Sequence, residues 1–307
     1  MKANWCALTV VFLVLSAAAL AQPPGGSPGQ PPRVPPIPVG TTVHRDLAYV
    51  TNGHPRQKLD LYLPADARKP PLIIMIHGGA FKSGSKDGQN PVPFLTQGYA
   101  VAALNYRLSG HAIFPAQIED CKAAVRWLRA HAGEYGYDPD RFGAWGGSAG
   151  GHLVTMLGTT GSTTKFDVGE NLSASSRVQA VADNFGPTDF LQMDAHRLPS
   201  GMVHNAPDSP ESELIGGNLQ DNPEKARHAN PITYLTRDCP PFLVIHGDSD
   251  PLVPHHQSEL LVAALQSAGV PVKFYTVKGG GHGGFKDPNV EVITQAFFAE
   301  QLKTARR

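Results

Sequence analysis

Apolar or alternating runs occupy residues 43–50, 58–63, 71–76, 99–105, 141–145, 178–184, 241–246 and 272–277. Short runs of this kind, bounded by Gly, Pro, Asn and Asp, read as strands. Between the later runs the period lengthens to that of a helix. From Pro115 onward, Ile118, Cys121, Val125 and Leu128 fall on one face, and proline suits a first helical position because its missing N–H has no intrahelical acceptor there. A second helix is expected from His255 to Ala268, stopped by Gly269, since glycine takes the left-handed conformation that ends helices. A third carries Val290, Ile293 and Phe297 on one stripe. Strands alternating with helices predict an α/β fold: a mostly parallel central sheet covered by helices on both faces. Between Gly186 and Pro231 no periodicity holds and polar, Pro and Gly residues dominate. Residues 186–231 therefore read as an insertion into the regular pattern.

Composition narrows the setting. Lys2 followed by the apolar stretch Ala7 to Ala19 and the small-x-small triplet Ala19-Leu20-Ala21 reads as an export signal over residues 1–21. Its apolar part is shorter than the roughly 20 residues needed to span a bilayer, so no membrane span is expected after cleavage. Residues 22–40 are dominated by Pro and Gly; they cannot bury a core and read as a linker. Residues 41–307 then form one α/β domain of ordinary size. The expected location is secreted or periplasmic. With 26 basic and 26 acidic residues the formal net charge is zero, which offers no electrostatic footprint for nucleic acid. Neutral small molecules or neutral polymers are the partners such a surface suits, and the oligomeric state is left open. Cys121 and Cys239 remain after signal removal; two buried thiols are expected rather than a disulfide.

Four segments carry candidate chemistry. Gly146-Gly147-Ser148-Ala149-Gly150 follows an apolar run and leads into a helix-compatible stretch. A sharp strand-to-helix turn exposes a serine hydroxyl, and the helix start offers N–H groups to a developing anion. With 32 glycines in 307 residues, G-x-S-x-G arises readily by chance, so its context carries the argument. Downstream come Phe242 to Asp250, a strand entering an acid-rich turn, and His282 in the glycine-rich loop 279–284. The order Ser, Asp, His and the placement at strand ends suit an open α/β sheet. Upstream, the run Leu72–Ile76 enters His77-Gly78-Gly79-Ala80-Phe81, where glycines let backbone amides approach an oxyanion. Asp248 and Asp250 both qualify as the acid, and His77, His152, His246, His255 and His256 lie near motifs but flank turns as scaffold. Asp183 and Asp189 fit structural turns or caps better than catalysis. Phe81, Tyr106, Trp145, Leu252 and Val253 suit core as readily as a pocket wall. No metal-ligand spacing and no dinucleotide fingerprint is found, so no cofactor is expected.

The chain resembles the α/β-hydrolase superfamily, and within it secreted bacterial esterases near the hormone-sensitive-lipase and feruloyl or acetylxylan esterase branches. The resemblance runs from about Leu47 to the C-terminus. It rests on HGGAFKSGSK (77–86), ALNYRL (103–108), FPAQIEDCKAAVRWLR (114–129), GGSAGGHL (146–153), PPFLVIHGDSDPLVP (240–254) and GGGHGGF (279–285). It implies a small cap over the site at 186–231, a Ser148–His282–Asp250 triad with the HGxxD pattern selecting Asp250, and an oxyanion hole from the amides of Gly79, Ala80 and Ala149. Where many relatives have a third glycine this chain has Ala80, which keeps the amide and alters the wall. The implied activity is carboxylic-ester hydrolysis on short-chain or aromatic acyl groups, including those on plant polysaccharides. A serine peptidase and a non-catalytic binding protein of the same fold are the rival functions.

Overall fold

The computed structural model describes residues 36–65 and 67–303. The expected signal (1–21) and most of the expected linker (22–40) lie outside them. The described strands are β1 (Thr42–Ala48), β2 (Lys58–Leu63), β3 (Leu72–Ile76), β4 (Ala100–Leu104), β5 (Phe142–Gly147), β6 (Ala180–Asn184), β7 (Phe242–Gly247) and β8 (Val272–Val277), one at each expected run. They form one eight-stranded sheet in the order β1-β2-β4-β3-β5-β6-β7-β8. β2 is antiparallel to both neighbours, and every pairing from β4 to β8 is parallel. This is the mostly parallel α/β sheet that the alternating pattern predicts.

Burial explains why the central strands were readable. All residues of β3, β4, β6 and β7 are buried, as expected for strands covered on two faces, whose sequences become continuous apolar runs. The edge strand β1 is mostly half-buried or exposed and alternates with polar residues. Leu72, Ile74 and Ile76 point to one face, where they meet Ile118, Val125 and Leu128 of α2 (Ala116–Ala130), Leu153 and Leu157 of α4 (Ala149–Thr159), and Leu261 and Leu265 of α8 (His256–Ser267). Ile73 and Met75 point to the other, against Phe94 and Leu95 of α1 (Val92–Leu95) and Phe297 and Phe298 of α9 (Asn289–Phe298).

All three expected helices form, and α8 lies within one residue of both forecast ends. Pro115 precedes α2 rather than opening it, and α3 (Ala132–Tyr135) continues it after a break at His131. The segment 186–231 contains three short helices, α5 (Met193–His196), α6 (Pro210–Ile215) and α7 (Pro223–Ala229), each too short to impose a visible period. Cys121 and Cys239 are free and buried, as two unpaired thiols should be. Among the described residues no helix is long and apolar enough to cross a membrane.

Candidate active site

The turn between β5 and α4 puts Ser148 at φ 57° and ψ −126°, a region that costs a non-glycine residue of order 1–3 kcal/mol. Two close approaches explain its glycines and lock the serine to the neighbouring loop. A Cβ on Gly150 would stand 2.1 Å from the Ile76 carbonyl oxygen, and one on Gly78 would stand 2.8 Å from the Gly147 oxygen and 3.2 Å from the Ser148 Cβ. Loop 77–80 thus lies directly against the serine. The Ser148 amide donates to Asn184 O at 2.9 Å, which fixes the turn to the end of β6. Ala149 opens α4, so its N–H has no intrahelical acceptor.

The loop after β3 is itself held by a tight turn, with the amides of Lys82 and Ser83 donating to Gly79 O at 3.0 Å. Ala80 and Phe81 both adopt positive φ, 54° and 59°. Among the described residues the amides of Gly79 and Ala80 reach no backbone acceptor, and both remain available as donors. Behind them, His77 Nδ1 donates to Gly78 O at 2.7 Å, while Nε2 accepts from Arg56 at 3.1 Å. Burial drives the His77 pKa down to about 4, which keeps the ring neutral in that tautomer. It stacks on Tyr106, and the Tyr106 hydroxyl donates to His77 O at 3.0 Å. His77 and Tyr106 are scaffold for the loop.

The acid and the histidine meet on the other side. His282 Nδ1 donates to Asp250 Oδ2 at 2.7 Å. That bond leaves Nε2 as the basic nitrogen. Asp250 Oδ1 accepts from the amides of Leu252 and Val253 at 2.8 and 2.9 Å, and Oδ2 also accepts from His246 Nε2 at 3.1 Å. Burial alone would raise the Asp250 pKa; the hydrogen bonds from His246 and His282 reverse the effect and hold it well below the usual carboxylate range. Asp248, the other acid of this turn, faces away. It accepts from the Gly279 amide at 2.7 Å and lies 3.4 Å from Lys278 Nζ, so it braces the base of the histidine loop. The Ser249 amide donates to Gly280 O at 2.9 Å and joins the two loops.

Phe185, at φ 46°, links the halves. Its ring meets His282 edge-on at 4.8 Å between centroids, and a Cβ on Gly147 would stand 3.1 Å from its Cζ. Sequence reasoning gave no sign of it, because only the next residue, Gly186, carries a turn signal. The remaining motif-associated residues are structural. His152 is buried, its Nδ1 donates to Pro187 O at 2.9 Å, and burial lowers its pKa to about 4. Asp183 is buried with its pKa pushed up to about 6 by desolvation, and it accepts from the Gly186 amide at 3.0 Å. Asp189 caps a short turn by accepting from the Leu191 amide at 3.1 Å. Phe81, Tyr106 and Val253 are core, while Leu252 is exposed.

The insertion at 186–231 is fastened to the acid turn. Met202 N donates to Pro251 O at 2.8 Å. His204 donates from Nε2 to Leu252 O and from Nδ1 to Glu211, both at 2.9 Å. Donation from both ring nitrogens makes His204 an imidazolium. Burial opposes the charge, but Glu211 outweighs it and raises the His204 pKa. A cavity of about 390 Å³ opens between α1, β5 and α9, with Phe94, Trp145 and Phe285 on its walls and Asn90, Asn184 and Glu291 among its polar groups. Among the described residues no group of three His, Cys, Asp or Glu side chains could hold a metal ion.

A strained serine between a parallel strand and a helix, with an aspartate–histidine pair at the ends of later strands, places the protein in the α/β-hydrolase class. The BD-FAE family profile matches residues 59–265, and the chain belongs to that family. Its relatives include Esterase LipQ of Mycobacterium tuberculosis, 31% identical over 78% of this chain and 56% of LipQ. A truncated carbohydrate esterase from gut microbiota has a similar structure, with a TM-score of 0.79, 34% identity and coverage of 86% of this chain and 97% of that one. A bifunctional GH43-CE protein of Bacteroides eggerthii aligns with a TM-score of 0.77 at 36% identity, over 84% of this chain and 38% of that one. The chain spans little more than half the length of LipQ.

Proposed function

We propose that the protein is a carboxylic-ester hydrolase in which Ser148 is the nucleophile, His282 the general base and acid, and Asp250 the group that orients and stabilises the imidazolium. The observation that carries this reading is the 2.7 Å bond from His282 Nδ1 to Asp250. It selects the tautomer whose Nε2 can take the serine proton. Attack on an ester carbonyl puts negative charge on its oxygen, and the amides of Gly79, Ala80 and Ala149 are the donors for it. Each such donor is worth roughly 3 kcal/mol of barrier. His282 then gives its proton to the departing alcohol, and water repeats the sequence on the acyl-enzyme to release the acid.

The substrates are short-chain or aromatic acyl esters, including acyl groups on plant polysaccharides. Support comes from the likeness to a carbohydrate esterase; the aromatic-walled cavity is lined by none of Ser148, Asp250, His282 or the oxyanion amides and carries no part of this reading. The N-terminal signal pattern supports export, which would bring the enzyme to polymers that cannot enter a cell. Residues 186–231 act as the cap that sets access. Turnover of p-nitrophenyl acetate, methyl ferulate and a dipeptide anilide by the wild type and Ser148→Ala tests the reading. Ester cleavage lost in the variant is expected; anilide cleavage without ester cleavage would make the protein a peptidase.

A further inference from the structure

His246 occupies the fully buried strand β7, in Phe242–Gly247, where every other side chain is apolar. An imidazole there must be paid for by hydrogen bonds. Its Nε2 faces two acceptors, Asp250 Oδ2 at 3.1 Å and Val253 O at 3.0 Å. Neither can donate, so the proton is on Nε2. Nδ1 is hydrogen-bonded to the Ser258 hydroxyl of α8, 2.7 Å away. Both ring nitrogens are used, and the ring cannot flip without losing a bond at each end.

The consequence lies at Asp250. Its two oxygens offer about four lone-pair sites, and four donors fill them: the amides of Leu252 and Val253 on Oδ1, His246 and His282 on Oδ2. Two of these donors are amides of the turn that carries Asp250, and His282 is on a glycine-rich loop. Among the described residues only His246 reaches the carboxylate from the sheet. We infer that His246 is a positioning residue for the reaction: anchored by Ser258, it fixes Asp250 Oδ2 at the place where His282 must find it. It also shares the electron density of Oδ2 with His282, which tempers the carboxylate's pull on the imidazole proton.

Titratable groups and one aromatic ring face His246 from the elements packed against it. Asp183 from β6 acts on it electrostatically. The His255 ring, at the start of α8, is 5.4 Å away between centroids, and the Phe185 ring is 6.3 Å away. His282 lies across Oδ2.

The inference rests on the triad reading, so the test has a readout that does not need turnover. Compare wild type, Ser148→Ala, His246→Gln and His246→Leu. Gln keeps an N–H donor near the Nε2 position and Leu does not. Measure kcat and KM across roughly pH 5 to 9, and follow the downfield proton of the His282–Asp250 hydrogen bond by NMR over the same range. For His246→Leu, kcat should fall roughly 10- to 100-fold with KM within about threefold of wild type. Losing a competing donor makes Oδ2 more basic, so His282 keeps its proton to higher pH. The acid limb of the rate profile and the NMR transition should both move up by about half a unit. His246→Gln should restore most of kcat and the wild-type limb. Equal losses in both variants, with limb and resonance unmoved and the melting temperature lowered, would make His246 a core filler and overturn the inference. The resonance shift can be read in a Ser148→Ala background, so failure of the nucleophile assignment is distinguishable from failure of this one.

Discussion

The two halves of the site are built by different means. The serine turn and the loop 77–80 are joined backbone to backbone: Gly150 against Ile76 O, Gly78 against Gly147 O, and the Ser148 amide on Asn184 O. The acid and histidine are joined by side chains: His246 and His282 on Asp250, and His204 pinning the acid turn to the insertion. Backbone contact at 3 Å tolerates only glycine, so the first half is rigid and intolerant of added atoms. The second half depends on protonation states, so it responds to pH.

Loss of a reacting group should give the largest effects, on both halves alike. Ser148→Ala should lower kcat roughly 10⁵-fold and Asp250→Asn roughly 10⁴-fold, measured as ester turnover. A mild loss for Asp250→Asn would mean that the second half does not steer the first. Next comes the backbone half. Gly150→Ala places a methyl against Ile76 O and should cost about 3 kcal/mol of stability by urea unfolding. A variant as stable as wild type would show that the two segments are not in contact.

A smaller effect separates the halves by pH. The His204 pKa is raised in the folded protein. Its stabilisation is therefore complete below the ordinary histidine value of about 6.5 and is lost as pH rises through the folded value. His204→Gln should cost about 1 kcal/mol more near pH 6 than at alkaline pH, read from melting temperatures at several pH values. A cost that does not vary with pH would remove the imidazolium from the clamp. Smallest of all, Ala80→Gly relieves a left-handed alanine and should change stability by at most about 1 kcal/mol. Unfolding by urea checks it, and a loss of several kcal/mol would mean that the alanine methyl packs into the loop.

The same contrast governs what could be read from the sequence. Glycines at forced approaches stand out as motifs, so 77–80 and 146–150 were visible, and buried parallel strands announce themselves as unbroken apolar runs such as Leu72–Ile76. His246 was also visible, as a histidine beside a turn. Its pairing with Asp250 Oδ2 depends on a tight turn from Gly247 to Val253 that no period encodes. His204 and Glu211 come together within the insertion and meet Leu252 O, with spacings that carry no pattern, and α5–α7 are shorter than a helical signal requires. Asp248 and Asp250 are two residues apart and chemically alike; the family's HGxxD pattern selects Asp250, and the direction each faces supplies the physical reason.

The most direct test traps the intermediate. The purified enzyme, mixed with p-nitrophenyl acetate and quenched during the first turnover, should carry one acetyl group on the peptide containing Ser148, and His282→Ala should slow its formation by several orders of magnitude. An acetyl group on any other residue, or full-speed turnover with no acyl-enzyme and an unaffected Ser148→Ala variant, would contradict the account.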